Sequence, residues 1–194
     1  MNCHLLARHR SILRRFARDP KGVSAVEFAM VLPFMVALYL GTIELGNGMA
    51  AKFKATLAVR TVTDLASQQI SISTAKMSTI LDLSAQVMTP FPTANMTITL
   101  SEITTNASGQ GTVIWSCSLG GTARTWGQPL SPQLPSNLQT PNITILLGEV
   151  SYPYTPNIGS VIGTINLQQS MYFYPRLTTT IGAPGASVAS CPTS

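Results

Sequence analysis

At 194 residues the chain can hold one domain of ordinary size together with segments that lie outside it. Its formal net charge of +5 is not spread over the chain: residues 1–22 carry six basic residues against one acid, Asp19, and supply the whole excess. From Met77 onward there are only two arginines and three acids. That excludes a phosphate-reading cationic footprint on the folded part, so no nucleic-acid partner is expected.

The leader comes first. Arg8, Arg10, Arg14, Arg15, Arg18 and Lys21 are interleaved with Ile12, Leu13 and Phe16, which fits a short amphipathic helix on an anionic inner leaflet. Val23 to Ile43 follows, 21 residues with one charge, Glu27. A bilayer core takes about 20 helical residues. The cationic excess on its N-terminal side keeps that side in the cytoplasm and sends the rest across; Lys52 and Lys54 weaken this bias without reversing it. The expected organisation is a basic cytoplasmic leader (1–22), a transmembrane helix (23–46) and an extracytoplasmic domain (47–194). Two other readings stand beside it. A signal peptide cut near Gly48-Met49-Ala50 would need a shorter apolar region, and a buried core helix fits poorly with so basic a leader. Pro33 is tolerable in a membrane helix, where neighbouring groups take up the freed backbone partners.

Glu27 is the informative residue of this run. A lone carboxylate in hydrocarbon is costly and calls for a partner. Its fixed distance from Gly22 suggests one: the amine that a cut after Gly22 would create.

Met49, Phe53 and Leu57, extended by Ala58, Val62 and Leu65, form a helical stripe expected to pack on a sheet of the same chain. A second helix is predicted over Thr74 to Met88, capped by Ser73 or Thr74, burying Met77, Ile80, Leu81 and Ala85 and stopped by Pro90. Past Pro92 the period changes to two. Met96–Leu100 and Thr112–Trp115 read as strands of a hairpin turned at Asn106–Gly111. Gly120 to Pro141, with four prolines, reads as a surface loop. Ile143–Tyr154 is a long strand with Tyr152 and Tyr154 on one face. Val161–Leu167 is expected to be a helical turn or loop, Met171–Tyr174 a last strand, and the tail from Gly182 a loop. No internal repeat is visible.

Both histidines, His4 and His9, lie in the leader. The translocated part therefore has no material for Ser-His-Asp or Cys-His catalysis or for the usual zinc ligands. Glu44, Asp64, Asp82, Glu102 and Glu149 are not spaced as a carboxylate pair or a cation loop, and no phosphate-cradling glycine motif occurs. No catalytic residue, metal or cofactor is expected. Glu44, at the outer end of the apolar run, is read as solvated. Trp115, Trp126, Tyr152, Tyr154, Tyr172 and Tyr174 are read as core or cross-strand aromatics. Three Asn-x-Ser/Thr triplets, at Asn95, Asn106 and Asn142, read as chance in so Thr- and Asn-rich a chain. Cys117 and Cys191 would both lie in an oxidising space and form a candidate disulfide, the alternative being two free buried thiols; Cys3 stays on the reducing side.

The stretch Arg15-Phe16-Ala17-Arg18-Asp19-Pro20-Lys21-Gly22-Val23-Ser24-Ala25-Val26-Glu27-Phe28-Ala29-Met30-Val31-Leu32-Pro33 resembles the N-terminus of TadE-like proteins, pseudopilins of the tight-adherence (Flp-type) pilus system. The likeness covers roughly residues 14–60. It implies cleavage between Gly22 and Val23 by a prepilin peptidase, with Glu27 and Phe28 as the recognition and assembly residues and Glu27 pairing with the N-terminal amine of a neighbouring subunit. It implies a non-enzymatic minor pseudopilin in pilus biogenesis, with other pilins or pseudopilins, the assembly platform and the membrane as partners. It would sit in the bacterial inner membrane, N-terminus cytoplasmic and C-terminal domain periplasmic. The alternative is an unprocessed bitopic protein whose periplasmic domain binds a partner. The expected fold class is α+β: a long pilin-like transmembrane helix continuing into an amphipathic helix packed on a small antiparallel sheet.

Overall fold

The structure, a computed structural model, describes residues 20–130, 134–156 and 163–182. The expectations for residues 1–19 of the leader, for the tail beyond Gly182 and for Cys3 and Cys191 lie outside the described residues. The chain divides into two compact units, Met1–Gly46 and Asn47–Ser194.

A single helix, α1 (Pro20–Ser67), runs through both Pro33 and the Gly46-Asn47-Gly48 stretch without a break. It is the one helix among the described residues long and apolar enough to cross a membrane. From Val23 to Ile43 every residue is exposed, and large apolar side chains such as Phe28, Phe34, Leu38 and Tyr39 point in all directions. A helix apolar all round has no face that water prefers, so lipid or protein must surround it. Glu44 departs from its solvated reading: it is 8% exposed and has an interaction partner.

In the second unit the helix is amphipathic, and the expected stripe holds only in part: Ala58 and Val62 are buried and Leu65 packs against the core, but Met49, Phe53 and Leu57 are exposed. Met49 and Phe53 are 66% and 68% exposed, whereas Ala51, Ala55, Ala58, Val59, Val62 and Ala66 are fully buried. The small side chains, not the large ones, meet the sheet. Short side chains let the helix axis approach the strands closely, and Gly148 marks how closely: a Cβ there would lie 2.0 Å from Thr63 Oγ1.

The second helix, α2 (Thr74–Gln86), starts where Ser73 Oγ accepts a hydrogen bond from the Lys76 amide, and it buries Met77, Ile80, Leu81 and Ser84. Four strands follow: β1 (Thr97–Thr105), β2 (Gly111–Leu119), β3 (Thr144–Tyr154) and β4 (Ile165–Phe173). They form one antiparallel sheet in the order β2-β1-β3-β4. The predicted hairpin is present. Its turn is held by Asn106 Oδ1, which accepts from the amides of Ser108 and Gln110, both at 2.9 Å. Residues 165–167, expected as a helical turn or loop, belong instead to β4. Val161 lies outside the described residues.

A bulge between Glu102 and Ile103 adds Ile114 to β2. One extra residue shifts which side chains point up, so Trp115 faces the helices while Val113 faces the other way. The helix-side core joins Ile98, Leu100, Trp115, Cys117, Leu146, Val150, Tyr152 and Tyr154 to the buried faces of α1 and α2. The opposite face has a second, smaller core: Leu130 and Leu134 fold down from the Gly120–Pro141 loop onto Ile103, Val113, Ile145 and Leu147. That loop was expected only as surface. Trp126 and Tyr174, expected as core aromatics, are exposed, Trp126 at 70%.

Candidate functional site

The segment that carries the sequence-predicted chemistry is the start of α1. Gly22, Val23, Glu27 and Phe28 all lie on continuous helix. Val23 and Glu27 stand four positions apart, hence on one face, separated by one turn and a rise of about 6 Å. An amine at Val23 would therefore meet the side of the helix that carries Glu27. The Glu27 side chain is exposed among exposed Val23, Val26 and Phe28, and it has no hydrogen-bond or ion-pair partner among the described residues. Gly22 sits near the first turn, where its backbone freedom weakens the helix by up to about 1 kcal/mol relative to Ala and leaves the peptide bond unshielded by a side chain. Such an arrangement offers an openable glycyl bond and a carboxylate without a mate in an apolar setting.

Residues 22–64 match the family model of TadE-like proteins. The match begins at Gly22, takes in Glu27 and the whole apolar run, and ends on the part of α1 that lies over the sheet. It supports involvement in a tight-adherence pilus system, whose TadE-like members are pseudopilin-type components. No curated protein and no solved structure gives a significant match. The TadE-like segment thus stops short of the sheet, and the chemistry of the sheet has to be read from its own residues.

Cys117, on the helix-facing side of β2, is disulfide-bonded. Next to it on that face lies a feature that sequence reading passed over. Glu102 is completely buried in the middle of β1. Its Oε1 accepts a 2.7 Å hydrogen bond from the Ile181 amide, while Trp115 Nε1 donates to the Ile181 carbonyl at 3.2 Å. Oε2 makes no hydrogen bond among the described residues. The same C-terminal segment is pinned again by Gly182, whose amide donates to Ile70 O and whose carbonyl accepts from the Ile72 amide, and by Arg176, whose amide donates to Ser67 O. Arg176 also pairs its guanidinium with Asp64. Glu102 was visible in sequence only as one acid in a β-branched run; its burial depends on a segment nearly eighty residues away.

Burial raises the Glu102 pKa above its ordinary value of 4.5, opposed by the hydrogen bond from Ile181 and by the nearby Trp115 indole. The folded state therefore holds its proton to higher pH than the unfolded chain does. Glu102 leaves stability intact below pH 4.5 and lowers it as the pH rises from there through the folded-state pKa. Glu102→Gln keeps the acceptor for Ile181 and cannot ionise. Thermal melts should show it a few degrees more stable than the parent at pH 8 and no more stable at pH 4. Parallel pH profiles for the two proteins would remove titration of Glu102 as the cause.

Proposed function

We propose that the protein is a non-enzymatic minor pseudopilin of a tight-adherence pilus, anchored by α1, cut between Gly22 and Val23 by a prepilin peptidase, and assembled through Glu27. The observation that carries this reading is the coincidence of the TadE-like match with one long apolar helix whose single charged residue between Val23 and Ile43 lies a turn beyond the cut. An amine and a carboxylate that both lie in hydrocarbon gain by pairing, and either alone is costly. The pair can form within one chain or between neighbours. Pairing between neighbours ties processing to assembly, because the amine does not exist before cleavage.

In this reading the N-terminus faces the cytoplasm, the membrane is the bacterial inner membrane and the sheet domain is periplasmic. Peptidase, other pilins or pseudopilins and the assembly platform are the partners. The disulfide at Cys117 is paired with Cys191, fastening the C-terminal tail beside the strand that already receives Ile181. An oxidising compartment is where such a bond persists.

Intact-mass measurement of protein from its native membrane tests the proposal. The expected N-terminus is Val23. A chain that keeps its leader would be a plain membrane anchor, and one that begins near residue 51 would have lost the apolar run as a signal peptide.

A further inference from the structure

The sheet face turned away from the helices has two halves. One is apolar, where Leu130 and Leu134 cover Ile103, Val113, Ile145 and Leu147. The other is polar. Antiparallel pairing puts Thr97, Ser151 and Gln168 in one row across β1, β3 and β4, and Thr99, Glu149 and Ser170 in the next. Both rows lie on the Leu147 side of the sheet, because side chains alternate along β3. They line a cavity of about 470 Å³, together with Thr122 and Arg124 from the loop after β2. That volume lies within the roughly 300–1,000 Å³ of small-molecule sites.

A solvated sheet face needs only polarity. Two features exceed that need. The first is Arg124. Its guanidinium reaches over the sheet and grips Glu149 at both carboxylate oxygens, with Nη2 to Oε1 at 2.8 Å, while Nη1 also donates to the buried Ser101 Oγ at 3.4 Å. Among the described residues that line the cavity, these two are the only charged ones, so each cancels the other. The second is Trp126, 70% exposed. It sits in a tight turn fixed to the sheet: the Gly127 amide donates to Val113 O at 2.8 Å, and the Thr125 amide donates to Gln128 Oε1 at 3.2 Å. Two residues separate it from Arg124, so their Cα atoms are at most about 7.6 Å apart. A rigid turn thus shows water a large aromatic ring beside the polar cavity.

We propose that this cavity binds a neutral oligosaccharide. The lining excludes the other ligand classes. An anion meets no free cation, because Glu149 already holds Arg124, and a cation meets no free carboxylate. An apolar ligand finds no apolar wall, since the Val150 side chain belongs to the helix-side core. What remains is a ligand whose groups both donate and accept. Thr97, Thr99, Ser151 and Ser170 offer hydroxyls of that kind, and Gln168 offers a donor and an acceptor on one amide. The ion pair keeps spare N–H groups and lone pairs for charge-assisted bonds to sugar hydroxyls, which are roughly twice as strong as neutral ones. A pyranose also has C–H groups on its faces, and an exposed indole can take one such face from a sugar unit that extends beyond the cavity. The inference rests on the sheet domain and is independent of the cut after Gly22.

Calorimetric titration of the full chain in phosphatidylcholine nanodiscs, which carry no sugar, tests it. The probes are maltotetraose, tetra-N-acetylchitotetraose and, as the charged counterpart, tetragalacturonate. The expected result is saturable binding of at least one neutral probe with a Kd below about 1 mM, and at least ~10-fold weaker binding of tetragalacturonate. Ser151→Ala with Ser170→Ala should weaken the neutral probe about ten-fold, and Trp126→Ala about five-fold, with thermal melts as in the parent. No binding of either neutral probe overturns the proposal. Equal or tighter binding of tetragalacturonate overturns the choice of a neutral ligand. Parental affinity in the double serine variant places any bound sugar elsewhere and also overturns it, whatever Trp126→Ala does.

Discussion

Gly148→Val should destabilise the sheet domain by about 3–4 kcal/mol, a large share of the roughly 5–15 kcal/mol that holds a domain of this size together. The reason is geometric. A Cβ at this position would lie 2.0 Å from Thr63 Oγ1, 3.2 Å from Val59 Cγ2 and 3.3 Å from Thr63 Cβ. None of these atoms can yield cheaply. Thr63 and Val59 are both fully buried and β-branched, and the Thr63 hydroxyl is fixed to the Val59 carbonyl at 2.7 Å. The helix would have to lift off the sheet, opening gaps along the Ala51–Ala66 stripe that no alanine side chain can fill. Thermal or denaturant unfolding of the full chain measures the effect. Adding Thr63→Ala should return at least about 1 kcal/mol, since it removes Oγ1, the atom that the new side chain strikes most closely. A Gly148→Val protein as stable as the parent would show that the helix does not sit this close.

The second large effect concerns Glu27. Glu27→Ala should leave the protein inserted and cleaved but cut its incorporation into the pilus machinery by about 100-fold, corresponding to roughly 3 kcal/mol for the loss of one partner of a charge pair out of water. Insertion itself improves, because a charge has left the apolar run. Glu27→Gln, which can accept a hydrogen bond but carries no charge, should fall between the two. Surface piliation and co-purification with the assembly platform report the loss, and the mass of the mature chain confirms that processing is intact. Parental piliation in Glu27→Ala would remove the role assigned to this carboxylate.

Much of this molecule is local in origin and was legible for that reason. Ser73 at the start of α2, the Asn106 turn and the alternation in β1 and β3 each involve residues close in sequence. What eluded sequence reading came from contacts distant in the chain. The large side chains Met49, Phe53 and Leu57 formed the stronger periodic signal on α1, yet the sheet took the alanine face, because Gly148 leaves a hollow that only a close-packed helix can use. Residues 165–167 lack a strong strand pattern of their own and are strand because β3 offers them a ladder through Tyr154. Leu130 and Leu134 sat in a proline-rich loop with no period, and they became core because the outer sheet face had Ile103, Val113, Ile145 and Leu147 to cover.

The sequence by itself determined the apolar run, the basic leader before it, the single carboxylate five residues after Gly22, and hence the TadE-like resemblance of the N-terminal segment. These are properties of composition and spacing along one helix, and they need no other part of the chain to hold. Only the tertiary structure decided which face of α1 meets the sheet, that Glu102 is sealed beneath Ile181, and that the loop after β2 caps one edge of the sheet. Each of those depends on backbone and side-chain groups brought together from positions far apart, and the spacing of residues along the chain carries no record of which pairs will meet.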